Sequence, residues 1–368
     1  MKSLLVLNAP VMCVMCYLLA LPPLSWLLIL PVIYILDRWM GSANAGHAMP
    51  RTVARGILLT GAAVHFLLMF WGLNEINYLG VSWTSVSLLL SMTVLVIPAF
   101  TTPVGHELIH KRSALEKWTG GLMFSSIGFP TFNIEHPKGH HVYVGTPMDA
   151  DSSDKGQNYY HFIWQSIPRQ FKRGFELARL QLQQLGLPFF HRKNELLHYL
   201  AFTLALNVFM LTAYGIKGWL LYLLYSLLSI CSIQMIQYMS HYGLKRHENE
   251  TGKFAKTLRT HSWNYNGKFT DMLSLSIQKH SAHHENPTDY FHELDINEET
   301  PLVPVSFYIM FVVALVPPLW FKIMNPLVDA VMQEYEEKQA DICRASMQKG
   351  TEKTRDKLQK AEPEYSGL

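Results

Sequence analysis

Long apolar runs alternate with stretches dense in histidine and charge, and this alternation constrains the fold more than any other feature. A helix needs about 20 mostly apolar residues to cross a bilayer. Six stretches meet that requirement loosely: Leu4–Leu21, Pro23–Leu36, Gly56–Leu73, Val81–Val104, Tyr199–Tyr214 and Gly218–Met239. The first two are separated only at Pro22-Pro23 and read as a tight helical hairpin. Lys2 precedes the first run as in a signal peptide, but no small-x-small cleavage site follows, so it reads as a retained span. A seventh stretch, Pro301–Ile323, carries Pro301, Pro304, Pro317 and Pro318 and reads as interfacial or packed under a polar domain.

Only 16% of the residues are charged, against about 25% in an average soluble domain. The expected fold is an all-α integral membrane protein with about six transmembrane helices and a histidine-rich helical domain. Its expected divisions are N-terminal spans over 1–104, a polar segment over 105–198 and a transmembrane hairpin over 199–240. A second polar segment over 241–332 and a polar tail over 333–368 complete the chain.

Charge sets the orientation. Arg38, Arg51 and Arg55 lie between the second and third runs, Lys and Arg recur from Lys111 to Lys193, and another group runs from Lys245 to Arg259. Asn74–Gly80 has neither. By the positive-inside rule both termini and both polar segments face the cytoplasm. The net charge of +3 sits beside the apolar runs, so no nucleic-acid partner is expected.

Nine of the seventeen histidines fall into four groups on that side. They are His106-Glu-Leu-Ile-His110, His136-Pro-Lys-Gly-His140-His141, the single His241, and His280-Ser-Ala-His283-His284. Imidazole is a common metal ligand near neutral pH. His106 and His110 are one helical turn apart, about 6 Å along the axis, and share a face. The adjacent pairs diverge by about 100°, so each pair can reach two metals. Pro103 is expected to kink the helix that leads into His106. Zinc sites use three or four protein ligands, which does not account for nine. Two irons fit the count. His65 lies inside a span, where an ionisable group is costly, but keeps a structural reading with the other histidines. Cys13-x-x-Cys16 lies within an apolar run and reads as helix packing; electrons would have to come from another protein.

The wording around the histidines resembles a known family. His106-Glu-Leu-Ile-His-Lys111, Glu135-His-Pro-Lys-Gly-His-His141, His241-Tyr-Gly-Leu244 and Gln278-Lys-His-Ser-Ala-His-His-Glu-Asn-Pro287 are similar to the membrane-bound alkane 1-monooxygenases and the xylene monooxygenase hydroxylase subunits. These belong to the fatty-acid-desaturase-like integral-membrane di-iron superfamily. The resemblance covers about Val81 to Trp320 and includes Thr146-Pro-Met-Asp149 and His261-Ser-Trp-Asn264. It implies two non-haem irons held by His106, His110, His136, His140, His141, His241, His280, His283 and His284. It also implies O2 as oxidant, an apolar hydrocarbon or fatty-acyl substrate from the lipid bilayer, and a bacterial inner-membrane location. Electrons would come from NAD(P)H through a reductase and a rubredoxin or ferredoxin-type donor. Glu107, Glu135, Asp149, His261 and Glu285 are candidates to orient the ligands. Many alkane hydroxylases have Glu before His-Tyr-Gly, where this chain has Ser240, and Asp149-Ala-Asp151 looks closer to the xylene branch.

The expected reaction is therefore hydroxylation of a terminal methyl group on an alkane or alkyl-aromatic. Oxidative decarboxylation of a fatty acid to a terminal alkene, and acyl desaturation, are the alternatives within the superfamily. A decarboxylase would need a buried cation to anchor the carboxylate. A metal transporter is the remote alternative, because transporters place their ligands near the bilayer midplane and these lie beyond the helix ends.

Overall fold

The computed structural model describes residues 7–22, 25–249 and 251–359, with side-chain surroundings through Asp341 except at Ser25 and Trp26. The described residues are helical and irregular, with isolated bridges in place of strands. Two helices open the chain, α1 (Asn8–Leu18) and α2 (Ile29–Met40). Their 11 and 12 residues rise only about 17–18 Å, short of the ~30 Å hydrocarbon core. The expected pair of full spans is thus not seen among the described residues; the ends Leu4 to Val6 and Pro23-Leu24 lie outside them. Ala20, at φ 48, and Pro22 stop α1 early, and Gly41, at φ 74, stops α2.

Among the described residues three helices are long and apolar enough to cross a membrane: α3 (Arg51–Leu79), α4 (Trp83–Ile109) and a 47-residue stretch, Glu195–His241. Ser82 starts α4 with a capping box, its Oγ accepting from Ser85 N–H and its own N–H donating to Ser85 Oγ. The middle of α4, Ser91–Thr101, is a π-helix with Pro98 inside it. Proline has no N–H to give the usual i−4 bond, and π-helical turns mark places where a helix absorbs such a defect. The irregularity expected at Pro103 therefore lies upstream, at Pro98. After α5 (Ala114–Ser126) and the helical turns over 132–143 comes α6 (Tyr159–Gln184).

The stretch Glu195–His241 is two helices divided at Gly215, whose φ 67 and ψ −171 no other residue tolerates well. The limbs, α7 over 195–214 and α8 over 216–241, run back along each other. Thr203 Oγ1 donates to the Ser125 carbonyl at 2.9 Å and Tyr222 OH to the neighbouring Ser126 carbonyl at 3.0 Å. Trp219 Nε1 donates across the break to Asn207 Oδ1 at 2.9 Å. The expected break between Tyr214 and Gly218 is where the chain turns. Close packing of α5 depends on Gly121, where an added Cβ would stand 2.4 Å from the Tyr199 ring.

The polar portion continues through α9 (Lys268–Leu273), α10 (His280–Glu285), α11 (Phe307–Ala314) and α12 (Pro317–Gln359). Asp37 at the end of α2 is buried and accepts from the backbone N–H and hydroxyl of Thr270, both at 3.0 Å, which moors α9 to the N-terminal helices. The seventh apolar stretch forms no single crossing helix. Its eight-residue α11 packs with Met239, Trp263 and Trp320 in a core beside α8.

Candidate metal centre

Four separate segments carry the nine histidines to one place. His106 lies in the last turn of α4 and His110 just past it. His136 and His140 bound a five-residue π-helical turn, and His141 follows. His241 ends α8, and α10 bears His280, His283 and His284. The structure sorts them into two groups. One is His106, His110, His136, His141 and His283; the other is His140, His241, His280 and His284. Each adjacent pair is split between the groups, as the 100° step predicts.

The nitrogens face inward at short range. His136 Nε2 lies 2.7 Å from His106 Nε2 and 3.2 Å from His141 Nε2, and His283 Nε2 lies 3.2 Å from His141 Nε2. In the second group His280 Nε2 lies 3.0 Å from His241 Nε2 and 3.1 Å from His284 Nε2. Imidazole binds a transition metal at about 2.0–2.1 Å, so two such ligands at a right angle stand about 3 Å apart. His110 Nε2 and His140 Nε2, one in each group, are buried without a hydrogen-bond partner. Burial holds His136, His141, His280, His283 and His284 well below the ordinary histidine pKa, which keeps them neutral and free to donate a lone pair. Neutral nitrogen donors in this spacing fit two transition-metal ions, and imidazole suits iron.

Groups behind the rings fix some of them. Asp149 faces His140 Nδ1 at 3.0 Å, so Nδ1–H donates to the carboxylate and Nε2 is left for a metal. Burial pushes the His140 imidazole down, but Asp149 outweighs it and the net direction is up. Burial pushes the Asp149 carboxyl up, yet His140 and Ser152 bring it below its usual value. His241 Nδ1–H donates to the His261 carbonyl at 3.1 Å. His261 therefore serves through its backbone, while its ring accepts from Leu258 N–H.

The other candidate orienting groups are engaged elsewhere. Glu107 pairs with buried Lys111 at 2.7 Å, and Lys111 also donates to the Asp289 carbonyl at 2.6 Å. That clamp joins the segment after His110 to the segment after His284. Glu285 is half exposed and pairs with Arg259 at 2.7 Å. Glu135 is fully buried, 3.5 Å from Arg173, and fills the space beside Gly139, where an added Cβ would meet Glu135 Oε1 at 2.4 Å. Residues that the motif spacing does not reveal also touch the rings. Phe132 stacks on His136 with centroids 4.7 Å apart, and Gln237 stands 3.4 Å from His136 Nδ1. His65 is satisfied by Thr101 at 3.1 Å and Ser126 at 2.8 Å and stays structural.

An apolar cleft of ≈ 40 Å³ has Pro98, Met239, Gln278 and Phe311 in its lining. Met239 and Gln278 lie two residues before His241 and His280. A second apolar cavity of ≈ 240 Å³ opens against α1, and the two share Ile29, Ile33, Leu95 and Tyr308 as a common wall. Among the described residues lining both, none is Lys or Arg.

Comparison with known proteins agrees with this centre. The fatty acid desaturase family profile matches residues 81–299. "Alkane 1-monooxygenase 1" of Pseudomonas aeruginosa is 36% identical over 286 residues, 77% of this chain and 73% of that protein. The chain belongs to the alkane 1-monooxygenase family. Within that family "Alkane 1-monooxygenase 2" of Alcanivorax borkumensis is 36% identical over 62% of this chain. The xylene/toluene monooxygenase hydroxylase component of Pseudomonas putida is 30% identical over 61% of it. The aligned stretch spans 59% of each of these last two proteins, under two thirds of their length. Membership makes the chain an oxygen-dependent monooxygenase, an integral membrane oxidoreductase whose histidine groups fit iron. The family's frequent Glu before His-Tyr-Gly is replaced here by Ser240, whose hydroxyl is buried without a hydrogen-bond partner.

Proposed function

We propose that the chain hydroxylates the terminal methyl group of an unbranched alkyl chain drawn from the bilayer, using O2 and electrons supplied by another protein. The observation that carries this reading is the meeting of nine imidazoles, in groups of five and four, in a chain that also holds an apolar cleft lined by Met239 and Gln278. In this reading all nine are ligands and each group holds one iron. Bound there, the two irons would supply the redox chemistry that takes two electrons, two protons and O2, places one oxygen atom in a C–H bond and releases the other as water.

The chain's own residues do the rest. Asp149 and the His261 carbonyl hold His140 and His241 in the tautomer that presents Nε2. Ile29, Ile33, Leu95 and Tyr308 guide the alkyl chain past α2 toward Met239 and keep water out. A narrow apolar lining suits a slender chain better than a ring. The lack of a cation among the lining residues leaves a carboxylate without an anchor, which disfavours fatty-acid decarboxylation. The positive-inside pattern supports a centre and termini on the cytoplasmic side of a bacterial inner membrane. There a rubredoxin or ferredoxin-type donor, reduced from NAD(P)H, can reach it.

Membranes carrying the protein, given reductant, electron donor and O2, should convert dodecane to 1-dodecanol in preference to converting a xylene to methylbenzyl alcohol. Lauric acid should yield no undecene. Undecene as the main product would replace this reading with decarboxylation, and no turnover of any of the three would sink it.

A further inference from the structure

One short turn of chain reaches both histidine groups. Asp149 holds His140 of the four-histidine group. Two residues on, Asp151 is fully buried, and its backbone N–H donates to Asp149 Oδ1 at 3.2 Å. Its Oδ2 stands 2.8 Å from the Gln170 side-chain amide and 3.0 Å from that of Gln237. The same end of Gln237 stands 3.4 Å from Nδ1 of His136, which belongs to the five-histidine group. Gln237 is itself buried, on the last turns of α8. His136 matters in its group because its Nε2 is the near neighbour of both His106 and His141.

Chemistry settles how these groups must face. His136 can offer Nε2 to a metal only with its proton on Nδ1, and that N–H then needs an acceptor. The two ends of a glutamine amide have the same shape, so the hydrogen-bond network decides which one faces the ring. The oxygen must face His136, and Asp151 then meets the same oxygen as a carboxylic O–H. Burial raises the Asp151 carboxyl above its usual value, in the direction this requires.

We infer that Gln237, seated on Asp151, is a positioning residue for His136 as Asp149 is for His140, so that one turn orients a ligand in each group. The inference rests on the nine histidines being iron ligands. Outer partners of metal-bound histidines typically change affinity by about 10–100-fold.

The test is iron retention by the purified full-length protein in detergent, together with its 57Fe Mössbauer spectrum, which separates the two iron environments. Gln237→Met keeps the length of the side chain and removes its polar end. It should weaken retention by about 10–100-fold in one spectral component and spare the other. Asp149→Ala should affect the opposite component. Asp151→Ala should follow Gln237→Met, and Asp151→Asn, which keeps an N–H facing Gln237, should restore what Asp151→Ala loses. Wild-type retention and an unchanged spectrum in Gln237→Met would overturn the inference, as would equal loss of both components. If Gln237→Met does not fold, the Asp151→Ala and Asp151→Asn pair decides the matter in the same way. Failure of the wild-type chain to retain iron would instead overturn the reading of the centre, and this inference with it.

Discussion

In the four-histidine group two rings hand their Nδ1–H to fixed oxygens, on Asp149 and the His261 backbone, and all four rings are buried. In the five-histidine group His136 leans on an amide, and His141 is only half-buried. The smaller group thus has the firmer direct support and the fewer donors. A metal with four protein nitrogens keeps more positions open than one with five, and such positions serve exogenous ligands. Met239 and Gln278, two residues before His241 and His280 of the smaller group, are in the lining of the apolar cleft. On the function proposed above, the contrast favours the four-histidine group as the reacting side.

The largest effects should come from the rings themselves. His140→Ala and His284→Ala strike the smaller group and His283→Ala the larger; each should abolish product and lower iron per chain, measured side by side. Full activity in any one would remove that ring from the ligand set and break the grouping. His191→Ala and His247→Ala should be tolerated.

Lys111→Met comes next. It leaves Glu107 buried without its cation, a change that typically costs about 3–5 kcal/mol, and it frees the segment after His284 from the segment after His110. Thermal melting in detergent should show a large loss of stability. An unchanged melting temperature would mean that the clamp does not hold the two histidine segments together.

A pH titration of metal loading sharpens the contrast further. Asp149 raises the His140 pKa above its usual 6.5, so a proton competes longer for that ring, and loading of the smaller group should rise as pH climbs through the raised value. Asp149→Ala removes the raising influence and should move that rise to lower pH while weakening the final affinity. Without metal the pair behaves differently. Asp149, held below 3.8, contributes stability that is lost as pH falls through its depressed pKa. His140 contributes stability present below 6.5 and lost as pH rises through its raised pKa. The other histidines, held below 6.5 by burial, lower the stability of the apo-protein as pH falls below 6.5, so the pair is read as the difference in denaturant midpoint between wild type and Asp149→Ala, which should be greatest in mildly acidic buffer. The smallest effect belongs to Glu285→Ala, because its pairing with Arg259 is solvent-exposed and should be worth no more than about 1 kcal/mol in a denaturant melt.

Much of this was legible in the sequence because it is local. Run length gives α3, α4 and the hairpin, and the one-residue spacing of His140-His141 and His283-His284 gives a two-centre arrangement. The resemblance around those histidines leads to the family. What stayed hidden depends on distant partners. Gln237 lies 101 positions from His136 and has no motif of its own. Glu107, beside His106, reads as a ligand-orienting carboxylate until Lys111, one turn on, is seen to take it. His261 is a plausible ring partner from its type, yet its carbonyl does the holding. The defect in α4 falls at Pro98 instead of Pro103, since a proline in the first turn of a helical segment disturbs little and one in the interior disturbs much.

Gly215 has a consequence for register. Unbroken, the 47 residues from Glu195 to His241 would make a rod of about 70 Å, over twice the thickness of a hydrocarbon core. Folded at Gly215, the returning limb acts as a ruler whose far end is a metal-facing ring. Inserting a single residue between Gly215 and His241 would swing that ring by about 100° and lift it about 1.5 Å, away from His280. The limb's exact length is therefore as much a part of the centre as the histidine at its end.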